Sequence, residues 1–411
     1  MSGLQKLQSK KHINIMVALC VLVYFTSYIS RINFGAVILE MVKADGFLKS
    51  DVSLALTASF ITYGVGQLIS GYLGDRVNPK LLILSGFIVT AFMNFLIPFC
   101  PTAGFMIVIW GINGFAQAMM WPPLVKIMTT MFTDEVYRKA TVKVSWGSSF
   151  GTIAVYLFSP ICIVYSGWRS VFWVSAATCI VVATTWMIGC SKIEKAVQPH
   201  TEDKADIETK IETSKRELLP TKALAFLPGV FVAIILQGAL RDGITTWMPT
   251  YIAETYHLDS YISILTGVLL PIFSIICFQM TLWLVNTKIK NELTCAGSIF
   301  LAGIVASALL LVFSSKSAAV SIFLSALLTG SMHGVNLILV CMLLPYFKKT
   351  STVSGIVNSF TYIGSAISTY VIALISENFG WTVTISVWCG LAVLGTICCL
   401  AHSRKWKKLT R

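Results

Sequence analysis

Long apolar stretches separated by short polar ones recur along this chain from residue 13 to residue 402. Each holds about 20 residues or more, the length at which an α-helix crosses the hydrocarbon core of a bilayer. The pattern predicts an all-α integral membrane protein with twelve spanning helices. The predicted spans are 13–42, 51–74, 80–100, 104–132, 139–161, 168–190, 223–253, 262–286, 294–314, 319–346, 353–376 and 381–402.

A polar segment at 191–222 divides these spans into two groups of six, 13–190 and 223–402. The segment is dense in charges of both signs and has almost no aromatic residues. It therefore cannot bury enough apolar surface to fold as a domain. We interpret it as a cytoplasmic linker between two six-helix halves.

The two halves show signs of internal repetition. A shift of 210 residues places Arg31 on Arg241 and Arg138 on Lys348. Any single match could arise by chance, but together they indicate parallel repeats. The sequence thus predicts two halves related by a pseudo-twofold axis along the membrane normal.

Lysine and arginine residues gather at one end of the predicted spans. An even number of spans puts the N-terminal segment 1–12 and the tail 403–411 on the same, cation-rich side. By the positive-inside rule this side is cytoplasmic, which predicts a cytoplasmic membrane protein with both termini inside the cell. The opposite side holds only Lys43, Lys49, Arg169 and Lys316.

Composition supports a membrane protein and excludes several other classes. The chain is 56% hydrophobic and 12% charged, whereas soluble domains carry about 25% charged residues. The net charge of +13 follows the orientation of the spans, so we expect no nucleic-acid partner. The eleven cysteines lie scattered in apolar stretches without metal-ligand spacing. We expect no cofactor and no enzymatic activity, since the polar segments hold no catalytic motif.

Basic residues inside the spans are the strongest functional signal. Arg31, Lys126 and Arg241 lie within predicted spans, where a charge costs roughly 2.5–3.5 kcal/mol unless it faces protein or water. Arg31 and Arg241 each lie about 18 residues from the start of their span, at equal depth. They are predicted to converge on a central cavity and bind an anion through their planar guanidinium groups. The alternative is a structural pairing with a local acid, although the neighbouring Asp242 is expected to point about 100° away from Arg241.

Other polar and aromatic side chains are candidates for lining that cavity. For the aromatic residues, helix packing or an interfacial position is the alternative interpretation. The histidine could titrate with a bound phosphate or satisfy a carbonyl. These candidates are Tyr63, Gln67, Trp121, His333 and Tyr362.

Asp75 and Arg76 lie in the loop between the second and third spans, within GYLGDRVNPK. There a carboxylate and a guanidinium can pair with each other or with helix ends. We predict that they latch one conformation shut. A solvated turn is the alternative.

Four segments of the chain resemble the organophosphate:phosphate antiporter branch of the major facilitator superfamily. They are Arg31-Ile32-Asn33-Phe34, Gly74-Asp75-Arg76-Val77-Asn78-Pro79, Trp121-Pro122-Pro123, and Arg241-Asp242-Gly243-Ile244 followed by Trp247-Met248-Pro249-Thr250-Tyr251. The resemblance implies the major facilitator fold and rocker-switch exchange of an organic phosphate for inorganic phosphate.

The resemblance also implies roles for single residues. Arg31 and Arg241 would bind the phosphate group, Tyr63 and Tyr362 would lie near it, and Lys126 would add positive charge. The chain departs from the family pattern at three positions, where relatives carry two lysines and a histidine. Those positions here are Ile32, Gln67 and Phe150.

Together these patterns predict a monomeric secondary transporter, embedded in the lipid bilayer, for a small anionic solute. The predicted reaction is exchange of a phosphorylated metabolite for inorganic phosphate. Two alternatives stay open. One is a proton-coupled symporter of a carboxylate or sugar acid, in which Asp242, Glu254 or His333 titrates. The other is a membrane sensor of sugar phosphate.

Overall fold

The computed structural model describes residues 6–46, 49–197, 219–220, 228–257, 267–314 and 316–410. Within these ranges the chain is helical, and its β-structure is limited to an isolated parallel bridge between Leu219 and Phe347. Eleven stretches of the described chain are long and apolar enough to cross a membrane. The predicted all-α membrane fold is confirmed.

The helices of each half follow one another through short turns. Those of the first half are α1 (Lys10–Asp45), α2 (Lys49–Gly74), α3 (Pro79–Leu96), α4 (Ala103–Gln117), α5 (Trp121–Met131), α6 (Asp134–Ser166) and α7 (Arg169–Val197). Those of the second half are α8 (Pro228–Tyr256), α9 (Leu269–Thr287), α10 (Glu292–Phe313), α11 (Ala318–Asn336) and α12 (Thr350–Thr410).

Two predicted spans are not single regular α-helices. The span expected at 104–132 is interrupted between α4 and α5, just before Pro122 and Pro123. Proline lacks the N–H of the helical ladder, and its ring clashes with the carbonyl four residues earlier. The span expected at 319–346 continues from α11 into a π-helical turn, Leu337–Met342.

The two last predicted spans form the arms of α12, which bends at Gly380 (φ 77°, ψ 176°). A positive φ of this size suits glycine, which has no Cβ to clash. The second arm remains helical to Thr410, so the expected tail 403–411 begins as helix. Likewise α7 extends to Val197, into the expected linker 191–222. Residues 198–218 and 221–227 lie outside the described residues.

The two halves contact each other most closely at one end of the bundle. We call this end the linker face and define it by Gly74, Asp134, Glu292 and Thr350. Near it, α2 packs directly on the first arm of α12: a Cβ added at Gly71 would lie 2.9 Å from a backbone atom of the opposite helix. Only glycine permits so close an approach, which fixes the separation of the halves at this end.

Candidate anion-binding site

A small cavity lies between the two halves at the middle of the helices, with a volume of about 20 Å³. That volume accommodates about one water molecule. An organic anion could enter only after the halves separate. The cavity is lined by Tyr24, Tyr28, Trp121, Ser145, Ser148, Arg241, Phe278, His333, Asn336, Val340, Cys341, Asn358 and Tyr362.

Arg241 lies in the wall of this cavity and forms a two-pronged ion pair with Asp242. Its Nε lies 2.6 Å from Oδ1 of Asp242, and its Nη2 lies 2.8 Å from Oδ2. The expectation that Asp242 points away from Arg241 is therefore wrong. Although adjacent Cβ atoms diverge on a helix, the long arginine side chain has enough rotatable bonds to fold back to its neighbour.

The ion pair leaves part of the Arg241 guanidinium unused. Nη1 donates a further hydrogen bond to Oδ1 of Asn336 at 3.3 Å. Three of the five N–H donors of the group thus have partners among the described residues, and two remain. Asp242 also accepts a hydrogen bond from the Ser365 hydroxyl. Asp242 is therefore held between two helices of the second half.

Arg31 has aromatic surroundings. Its Cζ lies 4.3 Å from the ring centroid of Tyr28 and 4.9 Å from that of Tyr63, within the range of cation–π attraction. Its Nη1 donates to the Tyr362 hydroxyl at 3.1 Å. Among the described residues no carboxylate forms an ion pair with Arg31. We call Tyr28, Tyr63 and Tyr362 the tyrosine cage.

Tyr362 places Arg31 close to the cavity that Arg241 lines. It accepts the hydrogen bond of Arg31 and lines the same cavity as Arg241. Arg31 lies directly behind this lining residue, on the first half, while Arg241 belongs to the second. Arg241 therefore lines the cavity itself, whereas Arg31 reaches it only through its hydrogen bond to Tyr362.

The other candidates differ in how near they lie to the cavity. Trp121 lines it and packs on Tyr24, with ring centroids 4.7 Å apart. Its buried Nε1 has no hydrogen-bond partner among the described residues. His333 also lines the cavity, edge-on to Phe278. Gln67 does not line the cavity, as was expected of it, but accepts a hydrogen bond at 3.0 Å from Asn358, which does.

Several lining residues were missed by the sequence interpretation. They share a helix face with residues that were identified, because side chains three and four positions apart are neighbours. That spacing would have found them. They are Tyr24 and Tyr28 before Arg31, Asn336 after His333, and Asn358 before Tyr362.

Asp75 joins the two halves at the linker face. Its Oδ2 accepts hydrogen bonds from the backbone N–H and the hydroxyl of Thr352, both at 2.8 Å. Thr352 lies in the first turn of α12, where exposed N–H groups favour a carboxylate. Lys126 lies 3.1 Å from Oδ1 of Asp75. In this conformation Lys126 therefore pairs with Asp75 at the linker face and does not line the cavity, where it was expected.

Arg76 makes no such contact across the interface in the described chain. It donates to the carbonyl of Tyr72 at 3.1 Å and stacks on that ring, with Cζ 3.3 Å from the centroid. Of the two expected latch residues, only Asp75 connects the halves here. Asp75 pairs with a helix end and a lysine instead of its neighbour Arg76.

A second ionic link at the linker face was not anticipated from the sequence. Arg138 of the first half lies 2.8 Å from the buried carboxylate of Glu292 in the second. Tyr346 and Trp406 donate hydrogen bonds to the same carboxylate from within the second half. Glu292 is thus positioned by its own half and bound by a single cation from the other.

Comparison with known proteins identifies this architecture. The Major Facilitator Superfamily model matches residues 20–369, more than four-fifths of the chain. The chain belongs to the Major Facilitator Superfamily.

Relatives narrow the position of the chain within this superfamily. The probable hexose phosphate transport protein of Chlamydia muridarum is 25% identical over 385 residues, covering 87% of this chain and 84% of the relative. The glycerol-3-phosphate transporter of Bacillus subtilis is 24% identical over 381 residues, covering 87% and 85%. The membrane sensor protein UhpC of Escherichia coli is 22% identical over 393 residues, covering 90% and 88%. These relatives confirm the resemblance to the organophosphate:phosphate antiporter branch.

The cavity of this superfamily member lies between its two six-helix halves, at the middle of the helices. Guanidinium, indole and phenol groups line or adjoin it, and such groups can donate hydrogen bonds to the oxygen atoms of an anion. No cluster of metal-ligating side chains occurs in the described part of this superfamily member.

Proposed function

We propose that this protein is a secondary transporter that exchanges a small phosphorylated metabolite for inorganic phosphate by alternating access. One observation carries the proposal: Arg241 of the second half lines the interface cavity, and Arg31 of the first half donates a hydrogen bond to Tyr362, which lines the same cavity. The names of the hexose phosphate and glycerol-3-phosphate relatives support a phosphate ester as the solute.

The donors around the cavity suit phosphate oxygens. Arg241 retains two N–H groups, Arg31 uses one of its five, and the Trp121 indole is unpartnered among the described residues. Two guanidinium charges and the Asp242 carboxylate leave a net charge of +1. A singly charged anion would neutralise the site, and closure of the halves over a neutral site avoids burying a charge.

The contacts at the linker face suit one end state of the transport cycle. The hydrogen bonds and ion pairs that join the halves extend from the level of Tyr362 to Asp75 and Glu292. We propose that this face is cytoplasmic, because the turns between helices on this side carry most of the lysine and arginine residues. In that orientation the protein lies in the cell membrane with both termini in the cytoplasm, and the structure is closed toward the cytoplasm. The protein would act as a monomer.

Exchange in proteoliposomes tests the proposal. Vesicles loaded with phosphate and holding the native protein should take up labelled phosphate and hexose phosphate. Arg31→Lys and Arg241→Lys should each reduce exchange roughly 10- to 100-fold, since lysine keeps the charge but loses the planar fork. Arg169→Lys is the matched control, because Arg169 pairs with Asp45 far from the cavity.

Near-native exchange by either cavity variant would refute this function. A protein that binds hexose phosphate but gives no flux in any vesicle would instead act as a sensor, the function that the name of UhpC describes.

The ion pair between Asp242 and Arg241 favours proton-coupled anion uptake as a second candidate function. The carboxylate occupies the Nε and Nη2 donors of Arg241, so its protonation would release them to an arriving anion. Uptake of a carboxylate without internal phosphate, with external alkalinisation that Asp242→Asn abolishes, would establish this alternative.

A further inference from the structure

A basic groove lies on the linker face of the second half, apart from the central cavity. Its volume is about 420 Å³. Four cationic side chains line it, and the lining includes no carboxylate. The lining residues are Lys288, Ile289, Lys290, Asn291, Thr294, Ser403, Arg404 and Lys407. Such a cluster provides several charge-assisted hydrogen bonds for a phosphate group.

The groove is built on a fixed junction. The Asn291 side chain donates to the Ser403 carbonyl at 3.1 Å and accepts from the Thr294 N–H at 2.9 Å. These bonds hold the turn between α9 and α10 against the end of α12. The four cations therefore start from backbone positions whose spacing is set by the fold.

Apolar side chains lead from the bilayer-facing surface into this groove. On α12, exposed Leu394, Ile397 and Leu400 lie at helical spacing on the face that continues to Arg404 and Lys407. Exposed apolar side chains on a membrane span face acyl chains. The cations therefore stand where the headgroup of a lipid lying along this stripe would be.

The helix α9, which ends at Thr287 just before the groove residue Lys288, also carries an exposed apolar stripe. On α9, Ile276, Met280 and Trp283 are exposed at helical spacing, and Lys288 follows five residues after Trp283. Tryptophan is enriched at the level of lipid headgroups. Two apolar stripes thus end at one basic groove.

We propose that this groove binds the phosphate headgroup of an anionic phospholipid, with its acyl chains along the stripes of α9 and α12. A free phosphate ion would satisfy the same cations but would make no use of the stripes. The proposal does not depend on which solute the central cavity carries.

Thermal unfolding in nanodiscs tests the proposal. The full chain is placed in phosphatidylcholine with increasing mole fractions of phosphatidylglycerol. The groove variant Arg404→Gln/Lys407→Gln is compared with Lys405→Gln/Lys408→Gln, which removes the same charge from exposed side chains of the same turns outside the groove. Phosphatidylglycerol should raise the Tm of the native and control proteins equally. The groove variant should need about 25-fold more phosphatidylglycerol for the same rise, since each of the two cations contributes about fivefold.

Three results would overturn the proposal. Phosphatidylglycerol could leave the native Tm unchanged, or the control variant could lose as much as the groove variant. Inorganic phosphate in pure phosphatidylcholine could also give the same groove-dependent rise, which would make the groove a free-anion site. Phosphate bound in the central cavity does not confuse the result, because both variants retain Arg31 and Arg241 and would respond equally.

Discussion

Arg31 and Arg241 occupy matching positions in the two halves but have different surroundings. Arg31 lies in the tyrosine cage and has no ion-pair partner among the described residues. Arg241 shares its charge with Asp242 through two short contacts. Internal repetition of the sequence has therefore not produced electrostatic symmetry. We infer that Arg31 attracts the anion with a full charge, whereas the hold of Arg241 depends on the state of Asp242.

The largest expected effect concerns stability. Arg241→Ala leaves the half-buried Asp242 carboxylate without its cation and should lower the free energy of unfolding by about 3 kcal/mol. Arg31→Ala removes one hydrogen bond and ring contacts, so its cost should be about 1–2 kcal/mol. Thermal unfolding of the purified variants measures both.

Arg241→Ala/Asp242→Asn serves as the control for that prediction. It should recover most of the lost stability without recovering phosphate exchange. Equal destabilisation by the two alanine variants would show that the ion pair does not distinguish the two arginines.

The next effect concerns the charge of the solute. A phosphate ester becomes dianionic above a pH of about 6, so exchange by the native site, with its net charge of +1, should fall as pH rises further. Asp242→Asn raises the site charge to +2 and should flatten this fall. The measurement is exchange rate against pH, with Asp45→Asn as a control that removes a carboxylate from the opposite end of the molecule. Identical profiles for native protein and Asp242→Asn would exclude this role.

The smallest expected effect concerns the tyrosine cage. Tyr362→Phe keeps the ring but removes the hydroxyl that accepts from Arg31. A neutral hydrogen-bond acceptor of this kind contributes about 1 kcal/mol, so exchange should fall roughly fivefold. Tyr165→Phe, at an exposed position outside the cavity, is the control. A loss as large as that of Arg31→Lys would mean that Tyr362 itself binds the solute.

The sequence predicted those parts of the molecule that the bilayer constrains. A span must be long and apolar, so composition locates it, and counting along a helix gives the depth of Arg31 and Arg241. The interruption before Pro122 was also within reach, since proline breaks helices for a local reason.

Side-chain pairing was beyond the sequence interpretation. The Arg241–Asp242 contact depends on a rotamer, which helical periodicity does not specify. The pairing of Arg138 with Glu292 joins residues 154 positions apart, and that of Lys126 with Asp75 depends on how helices of one half pack. Such contacts follow from tertiary packing, which the hydropathy pattern of the sequence does not determine.

The central claim is that Arg31 and Arg241 bind one anion together, and a double-mutant cycle of phosphate binding tests it most directly. Phosphate affinity would be measured for the native protein, Arg31→Lys, Arg241→Lys and the double variant. If both arginines hold the same phosphate, each single change should remove most of the affinity and the double variant should be only slightly worse. Losses that simply multiply, or a single variant that binds phosphate normally, would contradict the account.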